Sequence, residues 1–226
     1  MSVSKRLQEA HKQIDAKKNY PLAEAIELVK QTSKVKFDAS VEVHINLGID
    51  IKQSDQQVRG TVSLPHGSGK TVRVAAFVPE HQVAEAKQAG ADVAGAGELI
   101  EQIKKTEKCD FDVAVAVPEI MKELAVVARI LGQKGLMPNP KTGTITTNVA
   151  KTIQELKKGR ASFKNDSFGN LHLVIGKVSF ETAKLKENFE AVIEAVKQVK
   201  PEKIKGIYLK GIYLTSSMGP SVRVSI

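Results

Sequence analysis

Residues Thr71–Val117 read TVRVAAFVPEHQVAEAKQAGADVAGAGELIEQIKKTEKCDFDVAVAV. Thr71–Val78 predicts a strand, and Glu80–Gln88 a helix closed by Gly90. Asp92–Ala94 predicts a short strand, Glu98–Lys105 a helix, and Asp112–Val117 a third, apolar strand. Strand and helix alternate, which is the pattern of a small parallel sheet sandwiched by helices. Pro118–Leu131 extends the pattern as a helix with proline in its first turn. Val149–Lys158 adds another helix.

On both sides of this stretch the grammar changes. Upstream, Leu7–Lys18 predicts a polar amphipathic helix. Pro21–Gln31 predicts a second, with Leu22, Ala25, Ile26 and Val29 on one face. Ser40–Gly48 alternates, with Val41, Val43, Ile45 and Leu47 on one side, so it predicts a strand with one dry face. Val58–Leu64 reads as its partner, weakened by Gly60. Downstream, Arg160–Lys164 and Leu171–Ile175 read as a hairpin around Asp166–Asn170. Phe180–Val199 holds a long helix. Strands over Ile207–Thr215 and Val222–Ile226 flank the turn Ser216–Pro220. The expected fold is therefore an α+β split domain (antiparallel sheet with helices), residues 1–66 and 160–226, carrying an inserted α/β Rossmann-like domain, residues 67–159. The crossings contain Gly67, Gly69 and Gly159, glycines suited to a paired hinge.

Charge divides the same way. The chain has 226 residues and a net charge of +9. Residues 1–66 carry 10 basic and 8 acidic groups, residues 67–158 carry 13 and 11, and residues 159–226 carry 11 and 6. The two ends together hold +7 and the middle only +2. A basic domain suits a polyanionic partner, most often nucleic acid, although charge also serves solubility. The lone Cys109 gives no disulfide framework and fits a cytosolic setting. The polar N-terminus lacks the apolar core of a secretory signal. No apolar run reaches the length of a membrane span.

Motifs for catalysis fail on inspection. Gly69-Lys70-Thr71 resembles the end of a phosphate-binding loop, but Leu64 stands where the first glycine belongs, and a strand follows instead of a helix. Gly95-Ala96-Gly97 hints at a dinucleotide loop, but Ile100 replaces the third glycine. A nucleotide-binding enzyme on the inserted domain is thus the disfavoured alternative. His11, His44, His66, His81 and His172 show no ligand spacing, and one cysteine builds no zinc site. No metal, cofactor or catalytic residue is expected.

Four stretches are suited to binding. Gly132–Asn148, GQKGLMPNPKTGTITTN, is a stiffened loop inside an acid-free segment from Leu124 to Gln154. Its Lys134 and Lys141 offer a secondary RNA or tRNA contact, or are merely solvated. Lys34–Ser40 sets Phe37 beside lysines, so the ring either stacks on a base or caps the core. Lys164–Phe168 is either a contact or an ordinary Asp-Gly turn. Thr215–Gly219 combines hydroxyls, a close-approach glycine and a flexible methionine. Together, on the more basic domain, they make RNA the leading partner.

Longer runs resemble a known family. ARILGQKGLMPNPKTGTITTN (Ala128–Asn148) resembles the signature of the large-subunit ribosomal protein L-one family, found at the mobile stalk beside the ribosomal exit site. VKFDASVEVHINLGID (Val35–Asp50) is similar to that family's first RNA-contacting segment. VRGTVSLPHGSGK (Val58–Lys70) resembles its inter-domain crossing, and YLTSSMGPSVRV (Tyr213–Val224) its C-terminal strand. The resemblance runs nearly end to end. It implies a two-domain, non-enzymatic protein of the cytoplasmic large ribosomal subunit, monomeric when free. The implied partners are the large-subunit (23S) rRNA stalk, departing deacylated tRNA and the mRNA of its own operon, which it would repress. By position it implies RNA contacts at Lys36, Phe37, Ser40 and Glu42, and at Thr215, Ser217, Met218 and Gly219. By position Asp166 and His172 join them, and Lys164, read from the residues themselves, stands at the same hairpin tip. Ser40 and Ser217 stand where threonine is usual, keeping the hydroxyl and losing a methyl. Glu42 would accept from a base amino group or a 2′-hydroxyl, since it repels phosphate.

Overall fold

The computed structural model describes residues 4–15, 18–202, 204 and 206–225. In chain order the elements are α1 (Lys5–Lys12), α2 (Leu22–Thr32), β1 (Ser40–Leu47), β2 (Arg59–Ser63), β3 (Val74–Phe77), α3 (Glu80–Gln88), β4 (Val93–Gly95), α4 (Gly97–Thr106) and β5 (Val113–Ala116). Then come α5 (Met121–Leu124), α6 (Ala128–Gln133), α7 (Val149–Lys157), β6 (Arg160–Lys164), β7 (Asn170–Lys177), α8 (Thr182–Gln198), β8 (Leu209–Ser216) and β9 (Ser221–Val224). The chain up to Lys70 and the chain from Ala161 onward make one compact unit, and Thr71–Arg160 makes the other.

The first unit is built on a four-stranded sheet of order β7-β1-β8-β9, antiparallel throughout. Its strand β1 alternates strictly, burying Val41, Val43, Ile45 and Leu47 and leaving Ser40, Glu42, His44 and Asn46 half-buried. Helices α2 and α8 supply the apolar stripe that covers the buried face, through Ala25, Ile26 and Val29 and through Leu185, Phe189, Val192 and Val196. A fully buried Asn188 sits within α8. Its amide donates to the Ile175 carbonyl at 2.7 Å and the Gly67 carbonyl at 2.9 Å, and it accepts from the His66 amide at 3.1 Å. That side chain satisfies three backbone groups at once, which fixes the Leu64–Gly67 turn on the core. At the other crossing, Gly159 takes φ of 110° directly after α7, the left-handed ending that favours glycine.

The second unit is a three-stranded parallel sheet of order β4-β3-β5. Alternate residues of β3 feed two clusters. Ala75 and Phe77 pack with Ile100, Ile103, Leu124 and Leu131, whereas Val74 and Ala76 pack with Ala86, Val149, Ile153 and Leu156. Both faces are therefore dry, as βαβ crossovers require.

Three expectations are corrected. Val58–Leu64 does not pair with β1; β2 pairs with β6 in a separate two-stranded sheet. Gly60 permits this, because a Cβ there would meet the Phe163 ring at 2.7 Å. It follows that Arg160–Lys164 and Leu171–Ile175 are not a hairpin: β6 belongs to the small sheet and β7 to the large one. The Asn165 side chain, accepting from the Val58 amide at 2.9 Å, ends the small sheet just before the chain turns. Finally, the single helix over Pro118–Leu131 opens as a 3-10 turn at Pro118–Ile120 and is divided into α5 and α6 by a second at Ala125–Val127. The adjacent β-branched Val126 and Val127 crowd the preceding turn there. Helix α1 ends at Lys12; Ala16 and Lys17 of the expected Leu7–Lys18 helix, and Ile226 of the last expected strand, lie outside the described residues.

Candidate nucleic-acid interface

The open face of the large sheet places polar side chains in rows. Across it, Glu42 lies opposite Thr215, and His44 lies between His172 and Tyr213. Asn46 faces Asn170, with an amide hydrogen bond of 2.7 Å, and Arg223 lies beside Tyr213.

At the β1 entrance two turns meet. The Ser217 amide donates to the Ser40 carbonyl at 2.9 Å, docking the β8–β9 turn onto β1. The Ser217 hydroxyl donates to Glu42 Oε1 at 3.2 Å. Thr215 Oγ1 donates across the turn to the Gly219 and Pro220 carbonyls, at 3.2 and 3.1 Å. Asp38 ties the preceding loop down by accepting from the Ser179 amide and hydroxyl, at 3.2 and 2.8 Å. Lys177 Nζ donates to Ser40 Oγ at 3.1 Å. Arg6 joins the two turns: its guanidinium reaches the Met218 carbonyl at 3.2 Å and the Lys34 carbonyl at 3.5 Å. No motif pointed to Arg6, whose partners are more than two hundred and nearly thirty positions away.

The result is an exposed pair of apolar side chains. Phe37 is 56% exposed and Met218 72% exposed. Phe37 therefore does not cap the core. Met218 also takes φ of 63°, a left-handed conformation that costs a non-glycine residue roughly 1 kcal/mol. A Cβ at Gly219 would run into the Ser216 hydroxyl, so glycine is required by the turn itself. The fold thus gathers Lys36, Phe37, Ser40, Glu42, Thr215, Ser217, Met218 and Gly219 at one end of the sheet.

Lys164 and Asp166 lie at the opposite end. The Leu47 amide donates to the Gly169 carbonyl, so the turn after β6 sits at the β1 exit. At a strand rise of about 3.4 Å per residue, the two ends are roughly 24 Å apart. Asp166 organises its turn: Oδ1 accepts from the Phe168 and Asn170 amides at 2.8 and 2.7 Å, and Oδ2 from the Asn170 amide group at 3.1 Å. Burial works against its charge, but the Asn170 and Phe168 amides, with the Asn170 and His172 side chains, outweigh it and lower the pKa to about 2. This is Asp-Gly turn chemistry, with Lys164 and Phe168 left exposed beside it, Phe168 at 78%. His172 connects the ends. It stands on β7 against His44, whose pKa is lowered by burial and by the charge of His172, with Glu42 pulling the other way. Sequence spacing hid this pair because the strands are far apart in the chain.

In the second unit, the Gly132–Asn148 loop is fixed chiefly by Asn139. Its side chain accepts from the Lys141 amide at 2.8 Å, its own amide donates to Thr144 Oγ1 at 2.8 Å, and its carbonyl accepts from Thr142 Oγ1 at 3.0 Å. The loop then stitches to β5, with the Ala116 amide donating to the Thr144 carbonyl. The Lys134 ammonium donates to the Glu107 carbonyl at 2.6 Å, capping α4, while Lys141 is exposed. Gly69-Lys70-Thr71 leads into β3, without a helix. Gly97 opens α4, where nothing lies within 4 Å of an added Cβ. Among the described residues, no group of three or more His, Cys, Asp or Glu is arranged to hold a metal, and no helix is long and apolar enough to cross a membrane.

Residues 29–220 match the Ribosomal protein L1p/L10e family. Large ribosomal subunit protein uL1 of Mycoplasma capricolum is 51% identical over 222 residues, covering 98% of each chain. The protein of that name from Kosmotoga olearia is 50% identical over 98% of this chain and 95% of its own. That from Thermosipho melanesiensis is 48% identical over 98% and 96%.

Proposed function

Since the chain belongs to the Ribosomal protein L1p/L10e family, we propose that it is a protein of the large ribosomal subunit, in the cytoplasm, and that the open face of its antiparallel sheet binds ribosomal RNA. The observation that carries the assignment to this face is the exposed Phe37–Met218 pair, held by two turns that Arg6 locks together. Phe37 stacks on a base or ribose, and Met218 packs against the next. Lys36 neutralises phosphate. Ser40, Thr215 and Ser217 offer hydroxyl lone pairs to ribose, and Gly219 lets the backbone approach closely. Glu42, already accepting from Ser217, reads a base amino group or a 2′-hydroxyl instead of a phosphate.

Lys164, with Phe168, forms the far end of the same grip, and the Asp166 turn aims them. Lys134 and Lys141 on the second unit make a weaker RNA or tRNA contact, through which the protein assists departure of deacylated tRNA. The same face binds the mRNA of its own operon and represses its translation. Gly69 and Gly159 serve as the hinge positions between the two units, whereas Gly67, whose carbonyl is held by Asn188, stays fixed to the first unit. Cosedimentation with large subunits tests the assignment: the native chain pellets with them, and Phe37→Ala with Met218→Ala abolishes pelleting at moderate salt. A doubly substituted chain that pellets as well as the native one contradicts the assigned face.

A further inference from the structure

None of the RNA contacts above stands on β9, the edge strand of the large sheet, yet β9 presents a cation to the open face. Arg223 is in register with Tyr213, and Tyr213 with His44, so the three side chains form one row across the sheet. Along β9, Val222 and Val224 are buried in the core while Ser221 and Arg223 are exposed. Among the described residues, the Arg223 guanidinium has no hydrogen bond or ion pair. Arg6, by contrast, is committed to two carbonyls, and Arg160 to the Glu155 carboxylate. A charge on an edge strand ordinarily blocks pairing with another chain. That edge is already covered here. The Tyr20 amide donates to the Arg223 carbonyl and the Ser225 amide to the Tyr20 carbonyl, both at 2.9 Å. Glu42, two strands away, is held by Ser217. The guanidinium is thus left facing solvent with neither an edge to guard nor an internal partner.

Tyr213 makes the floor beside it. Its ring reaches back along β8 over Gly211, two residues earlier on the same face. A Cβ at Gly211 would stand 3.1 Å from ring carbon Cε2 and 3.3 Å from the hydroxyl. The half-buried ring is therefore laid along the sheet instead of standing up from it. Such a ring offers its outer surface to a base. A planar guanidinium matches phosphate oxygens as a bidentate fork. Neighbouring strands lie about 4.8 Å apart, a separation that a single nucleotide bridges. Thr215, two residues along β8, is about 7 Å from Tyr213, so this row adjoins the Phe37–Met218 cluster.

We propose that the RNA interface crosses the sheet to its β9 edge, where Arg223 grips a backbone phosphate and Tyr213 stacks the base of the same nucleotide. This rests on the RNA-binding function above and extends it from the two ends of the sheet to its middle. Phosphate oxygens and the flat face of a base are common to every nucleotide, so the row adds affinity with little preference for sequence.

The test is filter binding of the full chain to a large-subunit rRNA transcript over a series of salt concentrations, with circular dichroism confirming the fold of each variant. Arg223→Gln should reduce the slope of log affinity against log salt by about 0.7 to 1, the signature of one lost phosphate contact. Arg223→Lys should keep the native slope. Lys197→Gln makes the same charge change on α8, behind the sheet, and should also keep it. Tyr213→Leu should lower affinity about five- to 150-fold at every salt concentration with the native slope, since stacking releases no counterions. A native slope in Arg223→Gln, an equal loss of slope in Lys197→Gln or Arg223→Lys, or native affinity in Tyr213→Leu overturns the proposal alone. No binding by the native chain at any salt concentration overturns the RNA function and the proposal with it.

Discussion

In the parallel sheet, β3 sends Ala75 and Phe77 to one cluster and Val74 and Ala76 to another, so no strand face is left for a ligand. In the antiparallel sheet, β1 buries Val41, Val43, Ile45 and Leu47 and offers Ser40, Glu42, His44 and Asn46 on the other side. Both units alternate along their strands; they differ in what covers the second face. Crossover helices must lie on both sides of a parallel sheet, whereas an antiparallel sheet can keep one side open. Charge follows the same division, +7 with the open sheet and +2 with the closed one. In the closed unit a partner meets the outer sides of the helices and loop positions such as Lys141.

That contrast can be broken at several points. Phe77→Ala should cost the closed unit about 3–5 kcal/mol of stability, read from its denaturant transition, with rRNA affinity unchanged while the chain is folded. Phe37→Ala and Met218→Ala should each do the reverse, costing about 1–3 kcal/mol of RNA affinity, roughly 5- to 150-fold, with stability moving by less than about 0.5 kcal/mol. Asp166 should give the open unit an acid-sensitive component. Its folded pKa of about 2 lies below the usual aspartate value of 3.8, so the contribution is complete above pH 3.8 and is lost as pH falls towards 2. Urea titrations should show about 1–2 kcal/mol lost by the native chain over that window, discounted for solvent screening, and little by Asp166→Asn. Met218→Gly should relieve the left-handed backbone and raise stability by up to about 1 kcal/mol while lowering RNA affinity. Lys134→Gln with Lys141→Gln should change affinity least, by under about 1 kcal/mol, since one ammonium already caps α4.

Much of this was legible beforehand where periodicity speaks for itself. The alternation of Ser40–Gly48 gave the open and closed faces of β1, and the strand–helix rhythm of Thr71–Val117 gave the parallel sheet. Pro21 and Pro118 marked where helical turns begin. Strand partnership was not legible: the alternation of Val58–Leu64 says which face is dry but not which strand lies beside it, and it was Gly60 making room for Phe163 that decided. Register was hidden for the same reason, so His44 and His172 read as two isolated histidines. Arg6 was invisible because its two partners are backbone carbonyls, which any residue supplies. Exposure of Phe37, too, depended on the Asp38–Ser179 contacts that turn the loop outward.

The central claim is that RNA affinity belongs to the turns at one end of the open sheet and not to the basic loop of the closed unit. Its most direct test is filter binding to one rRNA transcript, at one salt concentration, by two double variants. Phe37→Ala with Met218→Ala is predicted to lose on the order of a hundredfold or more, and Lys134→Gln with Lys141→Gln less than about tenfold. Equal losses, or a larger loss from the lysine pair, would contradict the account.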